Sequence, residues 1–191
     1  MKRREFVKAG LALGVAGAVD AAAPTAAGAP CGVCVTCDPD GMAKSALKHF
    51  LPGKMTCGEA MLLTGLESLD VKTKVAPDIA LGLAGGVGLQ GKTCAVVTGA
   101  AMVLGLAVGR VEKNPLKRKM VTFKAVGRFV QAFEKKFGCT ACRKLSGLDL
   151  TTVAGRMKLA ASVKAERCST LVAFGARTLA ESLQDLARAY A

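Results

Sequence analysis

The spacing of apolar residues predicts helices along almost all of the chain after residue 41. The clearest run recurs at three- and four-residue spacing, through Met120, Phe123, Val126, Phe129, Val130 and Phe133. Together with helix start and stop signals, the pattern predicts helices at 42–50, 57–69, 77–84, about 94–108, 115–137, 153–164 and 169–190, with a short turn from Cys142. Almost no stretch alternates as a strand would. We therefore predict an all-α protein.

The segment 94–108 is apolar on all sides and is predicted to be the central helix of a compact bundle. From Cys94 to Gly109 it covers about 24 Å, whereas a membrane span needs about 20 apolar residues. A helix of this kind is most simply a buried core helix. The glycine loop 85–91 before it leads into Lys92 and Thr93, which resembles a phosphate-binding loop. Since the preceding residues are predicted to be helical, we do not expect nucleotide binding.

The first residues have the three regions of an export signal. Lys2, Arg3 and Arg4 are followed by a weakly hydrophobic stretch and then by small residues of A-x-A type. The Arg3-Arg4 pair is typical of a twin-arginine signal, which predicts a periplasmic or otherwise exported protein. We expect residues 1–23 to be the signal, 24–41 an irregular Cys-rich segment and 42–191 the helical domain. If the signal is not cleaved, it would act as a membrane anchor.

The chain is strongly basic, with a formal charge of +13 from 27 Lys and Arg against 14 Asp and Glu. Such a balance favours an acidic partner, which we expect to be a redox partner protein. Nucleic acid is not expected, because the basic residues are scattered over several helices and no DNA-binding motif is present. Whether the protein is a homodimer is left open.

Four cysteines lie where helices are predicted to begin. Cys57 follows Thr56, which forms a Thr-x-x-Glu capping box with Glu59. Cys94 follows Thr93, a predicted N-cap. The other two are Cys142, at the short turn, and Cys168, at the start of the last helix. A helix N-terminus offers free N–H groups and partial positive charge, which favour thiolate over thiol.

Three further cysteines, Cys31, Cys34 and Cys37, have C-x2-C-x2-C spacing, as in the first part of a bacterial ferredoxin motif. Any fourth ligand must come from elsewhere, and Cys139 is the spare cysteine. This set is therefore a candidate second metal site. The alternatives are a disulfide among the first three, a zinc site, or a redox pair formed by Cys139 and Cys142.

The order of four segments resembles the C-GCAxxG-C-C family of redox-active bacterial proteins. The segments are TCGEAMLLTGL, GGVGLQGKTCAVVTGAAMVLGLAVGR, FEKKFGCTACRKLSGLDL and RCSTLVAFGARTLAESL, within roughly residues 55–190. The resemblance implies that Cys57, Cys94, Cys142 and Cys168 are the signature cysteines. In one departure, where the family has Gly beside the second cysteine, this chain has Thr93 before it and Ala95 after it.

A related domain occurs in split-Soret cytochrome c, which carries haems and a non-haem iron–sulfur centre. Haem attachment needs C-x-x-C-H, which this chain lacks, and its single histidine, His49, is expected on the surface. The resemblance therefore implies an iron–sulfur cluster held by the four signature cysteines.

The leading functional hypothesis is an exported electron carrier with an iron–sulfur cluster, rather than a catalyst with its own substrate. Four thiolates in an apolar core need a metal centre, or else must be protonated or joined as disulfides. Zinc is the alternative metal. A thiol–disulfide oxidoreductase without metal and a zinc or soft-metal binding protein are the alternative functions.

Overall fold

The computed structural model describes residues 33, 37–51 and 55–191. The α-helices are α1 (Pro39–Phe50), α2 (Cys57–Ser68), α3 (Ala76–Leu81), α4 (Ala95–Val111), α5 (Pro115–Phe137), α6 (Cys142–Ser146), α7 (Val153–Lys158) and α8 (Ser169–Ala189). A π-helix, Leu159–Cys168, joins α7 to α8. The described residues contain no strand beyond an isolated bridge between Thr93 and Ala141. The all-α prediction is confirmed.

Helix α4 lies at the centre of the bundle and packs against α2, α5 and α8. The approach is close because glycines face it: a Cβ on Gly65 of α2 would lie 2.3 Å from Val103, and one on Gly175 of α8 would lie 2.3 Å from Val96. Val96 and Val103 are fully buried. The prediction of a central apolar helix is thus confirmed. None of the helices among the described residues is both long and apolar enough to cross a bilayer.

Several helix boundaries follow the chemistry read from the sequence. The capping box is present, with Thr56 N–H donating to Glu59 Oε2 at 2.7 Å. Helix α5 begins after the Asn114 cap and ends at Gly138, whose φ of 80° is left-handed. Helix α1 begins at Pro39, inside the segment predicted to be irregular, because Asp38 caps it by accepting from Gly41 N–H at 2.6 Å.

One boundary prediction is wrong. The sequence predicts helices at 153–164 and 169–190 with a break between them, but the chain is continuously helical from Val153 to Ala189. Residues 165–168 contain neither Gly nor Pro, so nothing local ends the helix. The chain instead widens into a π-helix of ten residues, whose last residue is Cys168. Such insertions are frequent at functional sites.

The glycine loop preceding α4 has an unusual backbone. Residues 85–89 all have left-handed φ angles, from 57° at Gly88 to 73° at Gly86, and include the non-glycine residues Val87 and Leu89. The loop packs against the start of α6: a Cβ on Gly86 would lie 2.8 Å from Cys142 Cβ. Glycine is required there by both φ and contact.

Candidate functional site

Cys57, the first residue of α2, lies between the beginnings of two helices. The backbone N–H groups of Gly58, of Cys57 itself and of Ala95 lie near its sulfur and lower its pKa, so the N-termini of α2 and α4 both act on it. Gly58 allows this approach, because a Cβ there would lie 3.1 Å from Ala95 Cβ. The Cys57 side chain is half-buried.

Cys94 forms a sulfur–sulfur hydrogen bond with Cys57. Its side chain is 3% exposed. This bond, above all, lowers the pKa of Cys57, because the Cys94 thiol donates its proton to the Cys57 sulfur. The same bond and burial raise the pKa of Cys94 well above its ordinary value. The pair therefore favours one thiolate, on Cys57, and one thiol, on Cys94.

Cys94 is the N-cap of α4 rather than its first residue, so the prediction that Thr93 caps this helix is wrong. Thr93 instead forms the bridge to Ala141. The expectation that a helix start lowers the thiol pKa is met at Cys57, whereas at Cys94 donation to the neighbouring sulfur outweighs it.

Cys142 is held beside Cys94 by backbone pairing. Cys94 N–H donates to Thr140 O and Cys142 N–H donates to Lys92 O, both at 2.7 Å. These two bonds flank the Thr93–Ala141 bridge and bring the backbones of Cys94 and Cys142 close together. Burial, followed by the charge of Cys57, raises the pKa of Cys142 to about 11. It is thus a buried thiol at the first turn of α6.

Cys168 reaches the site from the junction of the π-helix and α8. The prediction that it begins a helix is wrong, since its φ of −67° and ψ of −32° are helical. It therefore lacks free N–H groups to stabilise a thiolate. Burial, then the charges of Cys57 and Cys142, raise its pKa to about 12. The half-buried side chain packs against both hydrophobic clusters of the protein.

Two cations from the π-helix accompany the four sulfurs. Lys164 interacts electrostatically with Cys57, Cys168 and Glu59, and burial lowers its pKa. Its Nζ donates to Met55 O at 3.0 Å and lies 4.5 Å from the centre of the Phe50 ring.

The other cation, Arg167, acts on Cys168 by opposing the rise in its pKa. It donates from Nη1 to Ser146 O at 3.3 Å. Neither Lys164 nor Arg167 forms a salt bridge within the described residues. Their charges therefore remain available to an anion at the sulfurs.

Residues 55–182 match the model of a family described as "Putative redox-active protein (C_GCAxxG_C_C)". This chain belongs to that family. Neither a curated protein nor a solved structure matches it. The match covers all four cysteines of the site, and the family description gives the protein a redox role.

In this C_GCAxxG_C_C protein, the number and type of the site cysteines fit an iron–sulfur cluster. The arrangement of their side chains in this structure fits one less well. Four thiols are the usual ligand number for such a cluster, and each is electrostatically coupled to Cys57 or is Cys57 itself. However, no group of three or more His, Cys, Asp and Glu side chains among the described residues is arranged to hold a metal ion. Of the four site cysteines, Cys57 and Cys94 are the pair joined by a sulfur–sulfur hydrogen bond.

The second candidate set, Cys31, Cys34, Cys37 and Cys139, is described only in part. Cys31 and Cys34 lie outside the described residues. Cys37 is disulfide-bonded, and its partner is not among the described free cysteines, which are Cys57, Cys94, Cys139, Cys142 and Cys168. A disulfide at Cys37 is one of the alternatives that the sequence left open. Metal binding by this set would need that disulfide to be reduced and stays a prediction.

Lys164, Arg167 and Ser146 belong to the site although the sequence pattern did not single them out. A signal for two of them was present: Lys164 lies four residues before Cys168, and Ser146 lies four after Cys142, so each shares a helix face with its cysteine. The side chain of Ser146 donates to Cys142 O at 2.8 Å and opposes the rise in the pKa of Cys142. His49 takes no part, and pairs with Glu67 at 2.8 Å.

Proposed function

We propose that Cys57, Cys94, Cys142 and Cys168 are the ligands of an iron–sulfur cluster and that the protein is an electron carrier. The supporting observation is that four thiols from separate chain segments share one coupled site. A bound cluster supplies one-electron transfer without making or breaking a bond in a substrate.

The residues around the sulfurs suit a negatively charged centre. The α2 and α4 N-termini direct N–H groups at Cys57, while Lys164 and Arg167 place positive charge beside Cys57 and Cys168. The fully buried Val96 and Ala100 of α4 belong to the apolar core behind Cys94. These groups would stabilise bound thiolates and exclude water from one side. Cluster binding also requires Cys142 and Cys168 to approach the Cys57–Cys94 pair.

Metal analysis of anaerobically purified protein tests this proposal. We expect iron, acid-labile sulfide and a brown colour, and loss of all three when any one of the four cysteines is replaced by Ser. Cys139→Ser is the matched control, because Cys139 is a free, half-buried cysteine outside the proposed set. Colourless protein holding zinc would instead identify a structural metal site. Full iron content in Cys94→Ser would remove Cys94 from the ligands.

A dithiol–disulfide centre at Cys57 and Cys94 is the second candidate, favoured by their sulfur–sulfur hydrogen bond. The Cys57 thiolate would attack a disulfide substrate, forming a mixed disulfide and releasing one substrate sulfur as thiolate. Cys94 would give its proton to that leaving sulfur and then displace the second one. The products are a Cys57–Cys94 disulfide, one substrate thiol and one substrate thiolate, which takes its proton from water, so the substrate is reduced by two electrons.

The two candidates differ in what oxidation does to metal-free protein. Mass spectrometry after mild oxidation should show a Cys57–Cys94 disulfide if the dithiol centre operates, with no iron or sulfide in the protein as purified. A thiol–disulfide pair of Cys139 and Cys142, the alternative raised by their spacing, would appear as a different cross-linked peptide.

We also propose that the protein is exported by the twin-arginine route, which carries folded proteins, and that its redox partner is acidic. Arg3→Lys with Arg4→Lys should stop export while leaving the folded domain intact. The control is Lys44→Arg with Lys48→Arg, which makes similar exchanges on α1. Export that is unchanged in the first variant would rule out the route.

A further inference from the structure

The first half of α5 carries three large apolar side chains that are mostly exposed to solvent. Leu116 is 74% exposed, Met120 is 68% exposed and Phe123 is 67% exposed. At positions i, i+4 and i+7 of one helix, they form a continuous stripe. We call this stripe, with the cations that flank it, the α5 face. Single exposed apolar residues are ordinary, but an aligned stripe marks an interaction surface.

The cations of the α5 face are numerous, and no acidic residue lies between them in the sequence. Residues 113–133 contain no Asp or Glu, and their basic residues are Lys113, Lys117, Arg118, Lys119, Lys124 and Arg128. Lys117 pairs with Glu112 at 3.0 Å. The other five form no salt bridge within the described part of the chain. The surface therefore attracts anions.

The charge and the residue composition of the α5 face together indicate which kind of partner it binds. A second copy of the chain would bring a like-charged face against this one. An acidic protein would compensate the charge, and Phe, Met and Arg are common at protein interfaces, but Lys is depleted there, whereas four of the six cations of this face are Lys. Phe, Leu and Met beside a Lys-rich polar surface is the composition of a helix lying in a membrane interface.

We propose that the α5 face docks on an anionic lipid surface. Leu116, Met120 and Phe123 enter the boundary between headgroups and acyl chains, and the flanking Lys and Arg side chains contact lipid phosphates. The thiol site lies at the opposite end of α4, which spans about 26 Å from Ala95 to Val111. The proposed docking therefore uses a different part of the molecule from the thiol site, and it does not depend on what the sulfurs bind.

Vesicle flotation of the full chain tests the proposal. The vesicles are equal parts phosphatidylglycerol and phosphatidylcholine, compared with phosphatidylcholine alone. We expect binding to the anionic vesicles that weakens as salt increases. Met120→Gln with Phe123→Gln should weaken partitioning by about tenfold or more, and Lys119→Glu with Lys124→Glu should weaken it on anionic vesicles only.

Matched controls separate the α5 face from general surface effects. Val153→Gln with Met157→Gln removes two similarly exposed apolar side chains on α7, and Lys44→Glu with Lys48→Glu makes the same charge change on α1. Both controls should bind as the parent does. Residues 1–32 are common to every variant, so differences between variants report the α5 face alone.

Two results would overturn the proposal. One is equal partitioning of the α5 variants and their controls. The other is a concentration-dependent dimer that only the α5 variants abolish, since the face would then be occupied by a second copy. Circular dichroism and thermal melting of each variant check that it is folded, and conservative Met120→Leu should retain vesicle binding.

Discussion

A single residue, Cys57, is where negative charge is most stable in the thiol site. It accepts a hydrogen bond from the Cys94 thiol and N–H bonds from the starts of two helices, which lower its pKa. The pKa values of Cys142 and Cys168 are raised to about 11 and about 12 by burial and by the charge on Cys57 itself. A negative charge on Cys57 thus helps to keep the three other thiols protonated. Ionisation of one sulfur suppresses ionisation of its neighbours.

This asymmetry predicts selective alkylation of the metal-free, reduced protein. In a Cys139→Ser background, Cys57 should react with iodoacetamide at pH 7–8 while Cys142 and Cys168 remain unlabelled, because the thiolate is the reacting form. Cys94→Ala removes the thiol donor and should shift the labelling curve of Cys57 to higher pH. Peptide mass spectrometry over a pH series measures both effects. Equal labelling of Cys57 and Cys142 would contradict this account.

At the scale of elements, the bundle depends on glycines that let α2 and α8 approach α4. The same residue type has different consequences elsewhere: a Cβ added at Gly127 in α5 would have nothing within 4 Å, while one added at Gly65 would lie 2.3 Å from Val103. A glycine within a helix lowers the stability of the folded state by about 0.5–1 kcal/mol relative to alanine. The close packing against Val103 therefore explains why residue 65 is glycine.

Substitution by alanine should therefore have opposite effects at the two positions. Gly65→Ala should destabilise the protein by about 1–3 kcal/mol, since Val103 or the α2–α4 spacing must shift. Gly127→Ala should stabilise it by about 0.5–1 kcal/mol through helix propensity alone. Chemical denaturation of the two variants measures the difference, and stabilisation by both would show that α2 and α4 are not closely packed.

The helices that the sequence predicts correctly are those with local signals in the sequence, such as caps, apolar spacing and terminal glycines. Helix α5 has the bounds that the sequence predicts because a cap, an apolar period and a terminal glycine all agree. The π-helix has no such signal: a segment without Gly or Pro reads as an ordinary helix, and its widening is decided by tertiary packing. The same limit applies to the site, where capping residues pointed to Cys57, but Lys164 belongs to it only because tertiary packing brings its ammonium group to Met55 O, just before α2.

At the scale of the whole molecule, the buried thiols make stability depend on pH. Cys142 and Cys168 have folded pKa values raised above the ordinary thiol value of 9.0, so the folded state holds their protons more tightly than the unfolded chain does. Their contribution is complete below about pH 9 and is lost as pH rises through about 11–12. Cys57, with a lowered pKa, has the opposite sign, and its contribution is already complete in this range.

The free energy of unfolding of the reduced, metal-free protein should fall by roughly 2–4 kcal/mol between about pH 9 and pH 11. Urea denaturation across this range measures the decrease. The control is Cys142→Ala with Cys168→Ala, which retains every Lys and Tyr and also the Cys94 thiol with its raised pKa, and should show a flatter dependence. Identical slopes in the two proteins would mean that these thiols are not buried in the folded state.

The left-handed glycine loop also bears on motion near the sulfurs. Its amides are bonded within the loop, from Val87 N–H to Leu83 O, Gly88 N–H to Gly82 O, Leu89 N–H to Ala84 O, Gly91 N–H to Gly85 O and Lys92 N–H to Gly86 O, at 2.9–3.0 Å. A segment rich in glycine would ordinarily exchange its amide hydrogens with solvent quickly, but these should exchange as slowly as those of a helix. The loop is then a rigid segment beside Cys142. Any ligand or partner therefore has to reach the thiols by a route that does not require the loop to move.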